Sequence, residues 1–223
     1  MKNRLGLEAV AKFTLGLLLT GALVFVPAGS LQFANGWLFL GVLFLPMLLA
    51  GLFMLKKAPD LLKKRLDAKE TQKGQDLVVK LSGLMFLAGF VVAGLNFRFG
   101  WHTLPRGVVA CAVAVFLGAY LLYARVLKEN RFLSRTIGTQ ENQTVVETGP
   151  YAVVRHPMYS ATLLLFLAMP LILGSMHAFF VFLAYPPIVV GRILQEEAFL
   201  VQSLPGYDAY RKKVKCRLIP LVW

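Results

Sequence analysis

FTLGLLLTGALVFVPAGSLQFANGWLFLGVLFLPMLLAGLFML, residues 13–55, runs for 43 positions between Lys12 and Lys56 without a charged side chain. A helix needs about 20 mostly apolar residues to cross the hydrocarbon of a bilayer, so the run is too long for one crossing and suits two. Pro27-Ala28-Gly29-Ser30 and Asn35-Gly36 supply turn chemistry, which predicts helices near 9–27 and 36–55. The first imitates a secretory signal, with basic residues followed by an apolar run ending Val26-Pro27-Ala28-Gly29. Because the apolar character resumes after a short break, it reads as a retained membrane helix.

Working outward, Leu77 to Phe97 is a third span and Val108 to Leu127 a fourth, joined by a link in which Trp101 suits an interfacial aromatic belt. From His156 to Gly191 a second charge-free run of 36 positions predicts two more crossings, near 158–173 and 177–195, with Gly174-Ser175 at the reversal. The expected fold is all-α, a polytopic transmembrane helix bundle of about six spans with a C-terminal helical tail. It forms a single domain in which 1–127 is a four-span scaffold and 128–223 carries the motifs.

Composition agrees. Apolar residues make up 57% and charged residues 16% of the 223 positions, against a charged share of about 25% in soluble domains. The net charge of +13 comes with no aromatic-basic recognition motif or zinc spacing, so nucleic acid is not the expected partner. Basic loops on a membrane protein mark its cytoplasmic side, and six spans with a cytoplasmic N-terminus put 22 of the 24 Lys and Arg there. Only Arg98 and Arg106 fall outside, so both termini are expected in the cytoplasm. Cys111 and Cys216 then lie on opposite sides and are not expected to pair. Between spans two and three, Leu61, Leu62 and Leu66 stand among Lys63, Lys64, Arg65 and Lys69. A short amphipathic helix over 59–73 on an anionic leaflet and a solvated basic loop are both open.

Spans one to four hold almost nothing ionisable, which argues against an ion-coupled transporter. Polar chemistry gathers instead at Gly149-Pro150-Tyr151-Ala152-Val153-Val154-Arg155-His156-Pro157-Met158-Tyr159 and in the region after Arg192. Pro157 suits the first turn of a helix, where its missing N–H costs nothing. Free backbone donors there, with Arg155 and His156, would suit an anionic group; a snorkelling Arg and an interfacial His are the plainer alternative. Glu196-Glu197 end the last span, where paired acids oppose the helix dipole and need a cation. Arg192, four residues earlier, and a ligand's ammonium are equally open. In the tail, Tyr207 and Tyr210 either close a site or pack on headgroups, and Arg217 presents a fork to a carboxylate or to a headgroup. No G-x-G, Walker loop, H-E-x-x-H or G-x-S-x-G is present, and no metal cluster is expected.

Taken together, Gly149-Pro150-Tyr151, Arg155-His156-Pro157-Met158-Tyr159, Glu196-Glu197, Gly206-Tyr207-x-x-Tyr210 and Arg217-Leu218-Ile219-Pro220 resemble the isoprenylcysteine carboxyl methyltransferase family and its phospholipid methyltransferase relatives. The resemblance covers about the last eighty residues. It implies methyl transfer from S-adenosylmethionine, bound on the cytoplasmic side, to a lipid-like acceptor arriving through the bilayer. By that likeness Tyr151, Arg155, His156, Pro157, Tyr159, Glu196 and Glu197 bind the cofactor, and Tyr207, Tyr210 and Arg217 close the site and orient the acceptor. Replacing His156 or Glu197 is then expected to weaken cofactor binding and leave ligand-free heat stability nearly unchanged. Ser160-Ala161 stands where the family often has Gly. The phospholipid branch tends to carry a G-x-G that this chain lacks, which favours the isoprenylcysteine-like branch. A membrane sterol-type reductase using NADPH and a non-catalytic scaffold are the remaining alternatives.

Overall fold

A computed structural model describes residues 2–66, 75–133 and 138–223. The rest of the predicted basic helix or loop, with Lys69 and Lys73, lies outside them, as does Arg135. The described chain is helical, with nothing strand-like except an isolated bridge between Thr103 and Ser175. Its order is α1 (Lys2–Ala28), α2 (Ala34–Lys57), α3 (Pro59–Leu66), α4 (Gln75–Phe99), α5 (Arg106–Glu129), a 3-10 turn (Gly149–Ala152), α6 (Pro157–Ile172), α7 (Met176–Phe182), α8 (Tyr185–Ser203) and α9 (Tyr207–Lys213). Five stretches are long and apolar enough to cross a membrane: Arg4–Ala28, Ala34–Lys57, Leu77–Phe99, Arg106–Glu129 and Met176–Ser203. The helix α6 is apolar but only 16 residues long, about 24 Å at 1.5 Å per residue. It lies inside the bundle, with eight of its residues buried.

The six predicted crossings are recognisable, with two differences. Helix α1 begins at Lys2, well before the expected start, and its first turns carry a Glu8–Lys12 ion pair of 2.7 Å at i,i+4 spacing. The last crossing is not one helix. It breaks after Phe182 and restarts at Tyr185, because Pro186 and Pro187 have no N–H to continue the α-helical ladder and fall in the first turn of the new helix, where none is needed. A helix does form at Pro59–Leu66; its Leu62 is buried, and the element packs on α1 and α2.

Contacts at the two ends of the bundle show the up-and-down alternation. At one end Lys12 Nζ donates to Leu66 O, and Arg65 donates to Tyr123 OH and Leu133 O. At the other, Leu104 N donates to Gly174 O, and buried Asn96 donates to His102 O while accepting from His177 Nδ1. Aromatic side chains fill the middle: Phe86, Phe90 and Phe182 lie with ring centroids 5.6–5.9 Å apart. Helices α1 and α4 approach so closely that a Cβ at Gly94 would stand 2.5 Å from Val24 O and 2.9 Å from Ala28 N. Those atoms are backbone and cannot rotate away. Gly94→Ala should therefore cost about 1–3 kcal/mol, seen as a lower unfolding midpoint in detergent. An unchanged midpoint would mean that this contact does not form.

Candidate functional site

The end that carries residues 149–160 also carries the start of the tail. Arg155 N donates to Cys216 O and His156 N to Arg217 O, both at 2.9 Å, so two backbone hydrogen bonds tie the loop before α6 to residues 216–217. Ser160 Oγ adds a bond of 2.5 Å to Leu218 O. This corrects one sequence expectation. The N–H groups of Arg155 and His156, just ahead of α6, are not left for an anion, because the tail's carbonyls take them.

Glu197, from α8, sits at the junction and is 6% exposed. Its Oε1 accepts from Arg155 Nε at 2.7 Å and from His156 Nε2 at 3.2 Å, and its Oε2 accepts from Arg217 Nε at 2.9 Å. A carboxylate only accepts, so the proton on the His156 ring must be on Nε2. Three positively polarised groups converge on one buried anion, and three distant parts of the chain, 155–156, 197 and 217, are tied together there. Arg155 extends the knot, since its Nη1 donates to Val214 O at 2.8 Å and Lys215 O at 3.0 Å, capping carbonyls just past α9. Buried Arg155 and Glu197 are thus spoken for by the protein itself.

Glu196 is engaged differently. Arg192 Nε donates to Tyr159 OH at 2.7 Å, and Tyr159 OH donates to Glu196 Oε2 at 2.6 Å. Arg192 thus reaches the acid pair through a tyrosine, a relay that spacing alone did not reveal.

Beside this knot lies a cleft lined by Tyr151, Arg155, His156, Tyr159, Glu196 and Tyr207, with Tyr210 and residues 143–146 completing it. Its inner space is about 90 Å³ within an outline of about 770 Å³. Tyr151 OH accepts from Asn130 Nδ2 at 3.0 Å, and burial pushes its hydroxyl up to about 12. Tyr210 OH donates 2.7 Å to Tyr151 O, so it clamps the 3-10 turn. Gly149 starts that turn at φ +57°, and a Cβ there would stand 2.9 Å from the Glu129 carboxylate, which Thr148 Oγ1 also meets. Only glycine fits both demands. Burial, with the Glu197 and Glu196 carboxylates nearby, raises the Tyr207 hydroxyl well above the ordinary tyrosine range, so its proton stays on. That hydroxyl is buried and makes no hydrogen bond among the described residues. A buried unpaired O–H costs free energy, and in a cleft it marks a place where an acceptor atom is missing.

Of the ten residues singled out from the sequence, Tyr151, Arg155, His156, Tyr159, Glu196, Tyr207 and Tyr210 line the cleft, and Glu197 lies directly behind Arg155 and His156. Pro157 and Arg217 do not line it. Pro157 instead faces an apolar groove on the far side of the same segment. Arg217 is held by Glu197 and by the Trp223 ring, 5.1 Å from its guanidinium carbon. Its Nη1 and Nη2 find no acceptor among the described residues, and its side chain is 32% exposed. Sequence reasoning missed Trp223, Glu129 and Asn130. An isolated aromatic, acid or amide carries no spacing signal, and only Gly149 hinted that something crowds the turn.

Residues 106–205 match the sequence model of the phospholipid methyltransferase family. The matched range holds the 149–160 segment, Glu196 and Glu197, and stops short of Tyr207, Tyr210 and Arg217. The chain is also similar to the protein-S-isoprenylcysteine O-methyltransferase of Schizosaccharomyces pombe, at 33% identity over 110 residues. That alignment covers 48% of this chain and 46% of the relative, so the chain matches a little under half of that relative's length. Residues 106–205, which hold the cleft's central segment and the acid pair, are thus similar to the phospholipid methyltransferase family, within a chain that is multi-pass and helical.

Proposed function

We propose that the protein transfers a methyl group from S-adenosylmethionine, held in the cleft, to the carboxylate of an isoprenylcysteine-type lipid presented at Arg217. The unpaired hydroxyl of Tyr207 carries this reading: a buried donor faces a cleft beside the Glu196 carboxylate, a pairing suited to a ligand with acceptor oxygens and a cationic end. Inner space of about 90 Å³ is below the roughly 300 Å³ of small ligand sites, so the walls part on binding.

The cofactor supplies an electrophilic methyl on a sulfonium sulfur. For the chain's residues the task is alignment and exclusion of water, which needs no covalent nucleophile. Glu196 meets the ligand's positive end, Tyr207 donates to one of its oxygens, and Tyr151 and Tyr159 wall the cleft. Arg217 is fixed through Nε, which leaves its two terminal nitrogens to dock a carboxylate bidentately. When that carboxylate is methylated, its oxygen forms the new bond to carbon, the carbon–sulfur bond breaks, and no proton need be removed. The charge split supports placing the site and both termini on the cytoplasmic side. A phospholipid amine as acceptor is the second reading, favoured by the family matched over 106–205.

The test is binding in detergent, S-adenosylmethionine against NADPH, with Tyr207→Phe beside the wild type. Losing the hydroxyl should weaken S-adenosylmethionine binding by about 0.5–1.5 kcal/mol. Ligand-free stability should hold or rise, because a buried unpaired polar group has gone. Binding of NADPH with none of S-adenosylmethionine would replace the methyltransferase reading by the reductase one.

A further inference from the structure

On the far side of the 149–160 segment from the cleft runs an apolar groove of about 600 Å³, a volume within the usual ligand-site range of about 300–1,000 Å³. Its walls come from α5, the 3-10 turn, α6 and the tail: Leu122, Val153, Val154, Leu163, Leu164 and Ile219 are representative. Val153, Leu164 and Ile219 are 55%, 44% and 43% exposed, so the groove opens at the surface along α5 and the exposed edge of α6. No residue lines both the groove and the cleft. One charged group borders the groove, Arg125 in the last turns of α5. It is exposed and enters none of the hydrogen bonds or ion pairs found among the described residues.

We propose that this groove is a binding site for an anionic membrane phospholipid, with one acyl chain along α6 and the phosphate on Arg125. An apolar trough open to lipid takes a chain, and a lone guanidinium at its rim, near the end of a membrane helix, stands at the depth of headgroup phosphates. Among the described residues no carboxylate pairs with that guanidinium. The methyl acceptor is assigned elsewhere, because its carboxylate is placed on Arg217, which does not line the groove and is held by Glu197. A chain in the groove also backs the thin segment whose other face carries Tyr151, Arg155 and His156.

The experiment places wild type and Arg125→Gln in nanodiscs of equal phosphatidylglycerol and phosphatidylcholine, then extracts gently and measures the retained lipids by mass spectrometry. Wild type should keep phosphatidylglycerol over phosphatidylcholine by about fivefold, as one basic residue at an anionic surface provides. Arg125→Gln should bring the ratio near one with total lipid unchanged. Equal enrichment in the variant, or displacement of the lipid by a prenylcysteine carboxylate, would overturn the proposal; the second result would give the groove to the acceptor. A phosphatidylglycerol with a photoreactive chain tests the wild type independently of how the variant folds. Crosslinks should fall on 153–154 and 163–164, and crosslinks confined to α1 or α2 would refute the site. None of these readouts depends on methyl transfer, so they stand or fall separately from the proposed reaction.

Discussion

Glu197→Gln should destabilise the ligand-free protein by about 3–5 kcal/mol, the usual cost of removing one partner of a buried ion pair. The carboxylate receives Arg155, His156 and Arg217 on its two oxygens while 6% exposed. In the amide one oxygen becomes a donor, so either Arg217 or the Arg155–His156 pair faces N–H against N–H. Arg155 cannot lose its proton to relieve this. It is 7% exposed and would be left with carbonyl partners but no counterion. The damage spreads through the backbone because the same residues hold 155–156 against 216–217. Glu196→Gln should be far milder, since its carboxylate accepts one hydroxyl proton, from Tyr159, which an amide oxygen also accepts. Thermal unfolding in detergent without ligand separates the two. A Glu197→Gln midpoint equal to wild type, with cofactor binding lost, would restore the assignment drawn from the resemblance, in which Glu197 serves the cofactor and not the fold.

Why the sequence read Glu197 that way shows where its information ends. Charge-free runs are counted directly, so the crossings at 13–55, 77–97, 108–127 and 156–191 were legible, and Gly174 marks the reversal with φ +73°. The break before Tyr185 was also written in Pro186-Pro187, although overall hydropathy hides it. The polar residues of the site were legible as a group, because few stand beside apolar spans. Their pairing was not. Glu196 and Glu197 are neighbours, but successive helix positions point about 100° apart. One therefore turns into the knot with Arg155 and the other toward Tyr159. A sequence lists both as acids at a helix end and contains no term for which face of α8 meets α6. Tyr207 and Tyr210 pose the same problem. Three residues apart on one short helix, both are buried, yet one hydroxyl clamps Tyr151 O and the other has no partner among the described residues.

The remaining large effect concerns the acceptor. A carboxylate, with a reference pKa near 4, is already a nucleophile at neutral pH, whereas an ammonium near 10 must first give up a proton to a base. The groups able to take one here are committed: His156 faces Glu197, Glu197 holds three donors, and Glu196 holds Tyr159. Arg217 cannot act as a base, but it offers two terminal nitrogens in a plane fixed by Glu197 and Trp223. Arg217→Gln should therefore lower kcat/KM for a prenylcysteine acceptor by about 10–150-fold, the equivalent of a lost charged hydrogen bond of 1.5–3 kcal/mol. Because Arg217 also supports Glu197, part of that loss could come from the fold, and Arg217→Lys distinguishes the two. An ammonium can still pair with Glu197, so stability should largely return, but it cannot hold Glu197 and also present a fork, so methylation of the carboxylate should stay low. Phosphatidylethanolamine assayed beside it is the decisive comparison: methylation of the amine lipid alone, indifferent to both substitutions, would assign the protein amine-methylating chemistry and leave Arg217 a purely structural partner of Glu197.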